Sequence, residues 1–200
     1  MENKQTSLSN DKQINILLID NESKTIEKLN VLLLNFGKVT RIDYKDIPQT
    51  ATDNFNLIVL SGSSKVYANS SDSNLLTELN LIKNTNIPIL GICFGFEVIC
   101  RAFNCELTEF TEEQDDFRLV NIDRTFFTDA PETIAVKEHH KWGVKTVNDQ
   151  LQVLGRSSNS IEIVKHIEKR IIGFQFHPEL FTELTQGDDL LAASIKFLAK

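Results

Sequence analysis

Cys93, His177 and Glu179 have the residue types and settings for nucleophilic chemistry. Cys93 lies in ILGICFGFE (89–97), where an apolar run stops at Gly91, passes through the cysteine and resumes beyond Gly95 with helical spacing. A strand-to-helix turn of this kind lifts one side chain clear of the backbone, and small residues at −2 and +2 allow it to be tight. The helix that follows has two uses. Its dipole favours a thiolate over a thiol, lowering the pKa from ~8.5. Its first N–H groups have no intrahelical acceptor, so the N–H of Phe94 is the natural donor to an oxyanion. A proton carrier comes from IIGFQFHPEL (171–180), whose apolar run ends at His177 before Pro178. Glu179 follows two residues later, where a carboxylate can orient the imidazole and stabilise its charged form. A lone cysteine in an apolar stretch is most often inert core, and a lone histidine after a strand is most often a surface or capping residue. The two settings together favour a Cys-His-Glu site.

The surrounding elements must bring these residues together. INILLID (14–20) reads as a strand buried on both faces, as in a parallel sheet. A helical pattern runs from Ser23 through Ile26, Leu29, Leu33 and Phe36, with Gly37 as its C-terminal stop. Strands are expected at 38–44, 56–60 and 88–92, and helices at 74–84 and from Cys93 to about Phe103. Such alternation predicts an open, mostly parallel α/β sheet flanked by helices. Ligands bind beyond the carboxyl ends of strands in these sheets, where Asp20, Ser61–Ser64 and Cys93 fall. The second half reads differently. Segments 133–140, 151–157, 161–166 and 171–176 are short strand candidates expected as hairpins laid against the sheet, and 188–200 as a closing helix.

Composition bounds the function classes. Two hundred residues with 41% hydrophobic and 24% charged content suit one soluble domain. Residues 13–200 are expected to form it, with the polar stretch 1–12 a disordered lead-in. The net charge of −7 argues against nucleic-acid and anionic-membrane partners. No apolar run approaches the ~18 residues of a membrane span, and the N-terminus lacks a signal-peptide core. Cys93, Cys100 and Cys105 are odd in number and lack metal-ligand spacing, which points to a reducing, cytoplasmic setting. Cys100 and Cys105 read as packing residues. No cofactor motif is evident, and the His139-His140 pair is set aside as a metal site because no carboxylate or cysteine cluster accompanies it in sequence.

PILGICFGFE and GFQFHPE together resemble the class I glutamine amidotransferases, which carry G-[IV]-C-x-G-x-[QE] and a later F-H-P-E. The resemblance covers most of residues 14–198. ILLIDNES (16–23) is similar to the first strand of the anthranilate-synthase type, and KEHHKWGVK (137–145) is more like the amidotransferase domain of GMP synthetases. The resemblance implies a flavodoxin-like fold, with Cys93 attacking the side-chain amide of glutamine, His177 shuttling the proton and Glu179 holding His177. It also implies a second oxyanion donor in the loop after the third strand, at Gly62 and Ser63, and places Glu97 and His140 among the substrate-binding candidates.

Three departures bear on the function. Family members often have S-G-G-P where this chain has Ser61-Gly62-Ser63-Ser64, and losing the second glycine restricts that peptide. Glu97 stands where glutamine-using members usually carry Gln, whereas γ-glutamyl hydrolases of the superfamily carry C-x-G-F-E. Glu97 therefore either pairs with a substrate α-ammonium or is a helix residue facing solvent. The acidic pair of H-x-D-E-V has become Trp142-Gly143, which weakens the link to a GMP synthetase; Trp142 reads as an anchor on another partner or as local packing. The leading expectation is a glutaminase domain supplying ammonia to a separate synthase, since these residues contain no G-x-x-x-x-G-K-[ST] nucleotide motif. A free-standing γ-glutamyl hydrolase or peptidase, and a non-catalytic regulatory protein keeping the fold, are the competing expectations.

Overall fold

The computed structural model describes residues 13–200, so the expected lead-in 1–12 lies outside the described residues. Strand β1 (Ile14–Asp20) buries Ile16 and Leu18 in one apolar cluster and Leu17 and Ile19 in another, the period-two consequence of a sheet covered on both faces. Helix α1 (Ile26–Leu33) leads to β2 (Gly37–Asp43), and two short 3-10 helices (Tyr44–Gln49, Thr52–Asn54) lead to β3 (Leu57–Leu60). Then come α2 (Ser73–Asn84), β4 (Ile89–Ile92) and α3 (Phe94–Ala102). The second half holds β5 (Thr108–Gln114), β6 (Phe117–Ile122), β7 (Thr133–Lys137), β8 (His140–Gly143), β9 (Leu151–Arg156), β10 (Ile161–His166), β11 (Ile171–Phe174) and α4 (Gly187–Leu198).

Nine strands form one sheet in the order β2-β1-β3-β4-β11-β10-β9-β6-β7, and β5 pairs with β8 in a small second sheet. From β2 to β11 every pairing is parallel, and from β11 to β7 every pairing is antiparallel. Helices α1 and α4 pack into the cluster on one face, and α2 and α3 into the cluster on the other. The open α/β sheet flanked by helices is thus present.

Three details differ from the sequence reading. Most of the later strands do not lie against the sheet: β11 joins its parallel edge beside β4, β10, β9, β6 and β7 extend it from there, and β5 and β8 pair apart from it. The charged run TEFTEEQ forms β5, a half-exposed strand whose pattern lacks an apolar alternation to reveal it. Gly37 does not cap α1, which ends at Leu33; it opens β2, where an added Cβ would lie 2.1 Å from the Ile14 carbonyl oxygen. Phe36 accordingly leaves the helix and packs half-buried against the core.

Candidate active site

The parallel pairing of β4 with β11 assembles the site. Its register sets Ile92 opposite Phe174, so both chains leave the sheet side by side. The Cys93 N–H donates to the Phe174 carbonyl at 2.7 Å and fixes the turn to the neighbouring strand. Cys93 adopts φ 51°, ψ −104°, a left-handed conformation a non-glycine residue holds only when its surroundings impose it. The two glycines impose it by close approach. A Cβ at Gly91 would meet the Gly95 carbonyl carbon and oxygen at 2.6 Å, and one at Gly95 would lie 2.5 Å from the Leu60 carbonyl oxygen. The Gly95 N–H donates to Ser61 O at 3.2 Å, and Phe94 is the first residue of α3, where an N–H has no intrahelical acceptor.

Beyond β11 the chain passes through Gln175 and Phe176 to His177. The His177 N–H donates to Lys137 O at 2.9 Å. Its ring Nδ1 lies 2.7 Å from Glu179 Oε1, with both side chains buried. The same carboxylate oxygen accepts the hydroxyl of Thr25 at 2.7 Å, and Ser23 Oγ lies 3.0 Å from Thr25 Oγ1. Thr25 is a contributor the sequence reading missed; it sits just before α1, and nothing in its local pattern points across the sheet. The Cys93 thiol donates to the His139 carbonyl at 3.6 Å, and His177 Nε2 makes no hydrogen bond. Thiol and imidazole still interact electrostatically.

Burial and charge set the proton affinities. Burial pushes the Cys93 thiol up, only partly offset by the neighbouring His177, so the expected lowering of its pKa by the helix terminus does not win in this resting geometry. Burial pulls His177 down, but Glu179 and Cys93 outweigh it and hold the imidazole well above its ordinary 6.5. Burial pushes Glu179 up, but the His177 charge and hydrogen bond and the Thr25 hydroxyl hold it below 4.5.

The pocket is a cleft of about 270 Å³, with Ser63, Cys93, Phe94, Glu97, His140 and Trp142 in its wall. Glu97 does not face solvent. It is buried, accepts from Gln175 Nε2 at 3.2 Å, and is pushed up to about 7 by burial against the opposing pull of His140, Gln175 and His177. Gly62 closes against both reactive groups, since a Cβ there would lie 3.1 Å from the His177 Cε1 and 3.6 Å from the Cys93 Cβ. Ser63 costs the loop nothing in conformation, because neither it nor Gly62 has a positive φ. Its hydroxyl instead accepts the Lys65 and Val66 N–H groups at 3.2 and 2.9 Å, fixing the turn. Beneath this loop, Asn21 donates to Ser61 Oγ, Ser61 O and Glu78 Oε1, a buried anchor that the sequence does not advertise. Trp142 is half-buried in the pocket wall rather than in the core. Cys100 and Cys105 pack against the cluster around α3, and all three cysteines are free.

His140 brings a correction. The fold supplies the carboxylate cluster whose absence from the sequence set a metal site aside: Glu138 and Glu162 lie beside His140, all three buried. His139, the other member of the pair, is exposed beside Glu113 and Asp115.

The family model for "Glutamine amidotransferase class-I" matches residues 17–196. The chain belongs to this family. It is 29% identical over 187 residues to the glutamine-hydrolysing subunit of the GMP synthase of Pyrococcus abyssi, covering 88% of this chain and 94% of that one. It is 38% identical over 103 residues to the corresponding GMP synthase subunit of Methanobrevibacter smithii, a match spanning 50% of this chain and 54% of that protein. A crystal structure described as that of a putative GMP synthase subunit from Thermoplasma acidophilum superposes with a TM-score of 0.82 over 94% of both chains at 23% identity, a likeness of fold. Among the described residues no helix is long and apolar enough to cross a membrane.

Proposed function

We propose that this amidotransferase-family protein is a glutaminase that hydrolyses the side-chain amide of glutamine and passes the ammonia to a separate synthase. The observation that carries this reading is the left-handed Cys93 at the end of β4, beside the His177–Glu179 pair at the end of β11. Cys93 reacts as a thiolate paired with the protonated His177 and attacks the amide carbon, with the N–H groups of Phe94 and Ser63 receiving the oxyanion. His177 gives its proton to the leaving ammonia, and Cys93 keeps the γ-glutamyl group as a thioester. Water, deprotonated by His177, releases glutamate and restores the thiolate–imidazolium pair. Glu179 holds the imidazole throughout, and Thr25 holds Glu179. That relatives are named as the glutamine-hydrolysing subunit of a GMP synthase supports a separate synthase of that kind as partner. The buried histidine–carboxylate pair and the free thiol supply this chemistry from side chains alone.

One observation favours a second reading. Glu97 places a buried carboxylate in the pocket wall, suited to an α-ammonium and unsuited to a nearby α-carboxylate. This favours a γ-glutamyl amine or peptide as substrate for the same nucleophile. The deciding experiment is intact-protein mass spectrometry after exposure to a diazoketone analogue of glutamine, with Cys93→Ala and Glu97→Gln proteins alongside. Labelling of native protein confined to Cys93 is expected for the glutaminase. Labelling that appears only in Glu97→Gln supports the second reading. Failure of every form to react, with and without the synthase, would remove both.

A further inference from the structure

Glu138 and His140, two residues apart, meet Glu162 from farther along the chain. Glu138 follows β7, His140 opens β8 and Glu162 lies in β10. One ligating atom from each lies within 4.8 Å of the other two, and all three residues are buried. Three of their polar atoms have no hydrogen-bond partner: Glu138 Oε1, His140 Nε2 and Glu162 Oε2. Leaving three buried polar atoms of one cluster unpaired is costly.

The outer contacts already orient each group as a ligand. His140 Nδ1 lies 2.7 Å from the Trp142 carbonyl oxygen, which only accepts, so Nδ1 carries a hydrogen and the neutral ring has its lone pair on Nε2. Glu162 Oε1 accepts the hydroxyls of Ser157 and Ser160 at 2.8 and 2.6 Å, turning Oε2 inward. Arg118 Nε donates to Glu138 Oε2 at 3.2 Å, leaving Oε1 free. Arg118 thus balances one of the two carboxylates. The His140 Nε2 to Glu138 Oε2 distance of 3.8 Å is too long for a hydrogen bond.

We propose that Glu138, His140 and Glu162 bind one divalent transition-metal ion of the zinc or manganese kind. One imidazole with two carboxylates is a ligand set for such ions and lacks the thiolates that select softer ones. The ligand edges of a four-coordinate site with bonds of ~2.0–2.2 Å are shorter than the present separations, so the side chains close slightly onto the ion. The fourth position falls to solvent from the pocket that His140 lines. Mechanically, the ion staples the small β5·β8 sheet to β10 of the main sheet. It also fixes the segment carrying the His139 carbonyl, to which the Cys93 thiol donates. The site stands independently of whether the pocket hydrolyses glutamine.

The test uses untagged full-length protein stripped with a chelator, then titrated with Zn2+, Mn2+ and Co2+ by calorimetry, with Co2+ absorption as a second readout. Binding of one ion per chain by native protein is expected, with visible Co2+ bands, and Glu162→Gln is expected to bind at least ~10-fold more weakly, in line with loss of a designed ligand contact. Anomalous diffraction from Co2+-loaded native crystals locates the ion without relying on a variant that folds. A peak between His140 Nε2 and the two carboxylates is the expected result. Native protein that binds none of the three ions stoichiometrically would overturn the proposal. So would a peak elsewhere, for example at exposed His139 with Glu113 and Asp115, or unchanged affinity in folded Glu162→Gln.

Discussion

Replacing Glu97 by glutamine is expected to stabilise the protein in a strictly pH-dependent way. Burial lifts this carboxyl from its ordinary 4.5 to about 7, against the opposing pull of His140, Gln175 and His177. At about 1.4 kcal/mol per pKa unit, ionising it in the folded protein costs about 3 kcal/mol more than in the unfolded chain. Below pH 4.5 the group is protonated in both states and contributes nothing to the difference. Between 4.5 and 7 the unfolded chain releases the proton while the folded protein keeps it, so native stability falls progressively. Above 7 both states are ionised and the penalty levels off near its full value. The substituted amide keeps an oxygen for the Gln175 side chain and turns its own N–H groups to the pocket, so it mimics the protonated acid. Urea unfolding of native and Glu97→Gln proteins at pH 4.5, 5.5, 7 and 8.5, in chelator so that metal occupancy is constant, measures the effect. The curves should nearly coincide at pH 4.5, and the Glu97→Gln protein should lead by about 3 kcal/mol at pH 8.5. A difference that is constant with pH, or a variant that is less stable than native protein at pH 8.5, would refute the reasoning.

Other consequences follow from the same geometry. Thr25→Val removes a hydroxyl that donates to a buried carboxylate at 2.7 Å, a charged hydrogen bond worth about 1.5–3 kcal/mol; steady-state kinetics should show kcat down about tenfold with KM little changed, and Thr25→Ser should restore it. Gly95→Ala drives a Cβ to 2.5 Å from the Leu60 carbonyl oxygen, where backbone must give way; calorimetry should show a loss of about 1–3 kcal/mol, and an unchanged Tm would count against the close-approach account. His177→Gln removes the charge that draws the Cys93 pKa down against burial; iodoacetamide labelling of Cys93 at pH 8 should slow markedly, because less of the thiol is ionised, and an unaltered rate would separate the two residues.

The parts of the fold and site that were legible in the sequence are those whose cause lies within a few residues. The elbow is one: Gly91, Cys93 and Gly95 are neighbours, and the clash each glycine avoids is with β3 and α3, elements that any such turn must meet. The His177–Glu179 pair is another, because the two residues flank Pro178 on one short turn just beyond β11. Strands β1, β3 and β4 were readable because burial on both faces leaves continuous apolar runs. What stayed hidden depends on partners far along the chain. Nothing around Thr25 announces Glu179, and nothing around Asn21 announces Glu78. β5 stayed hidden because its charged residues face solvent and its pairing is set by β8, not by an apolar face of its own.

Glu97 and His140 mark the boundary between these two classes. Position in the motif nominated both, but their chemistry is set by depth: Glu97 is lifted toward neutrality by the core around α3, and His140 acquires two carboxylates, one just after β7 and one from β10. A buried group's charge state is a sum over every element packed against it, and that sum is fixed only when the sheet closes. A sequence can therefore nominate a nucleophile while leaving open the charge of the pocket wall around it. For this protein that wall holds a buried carboxylate, Glu97, and the Glu138-His140-Glu162 cluster reaches it through His140.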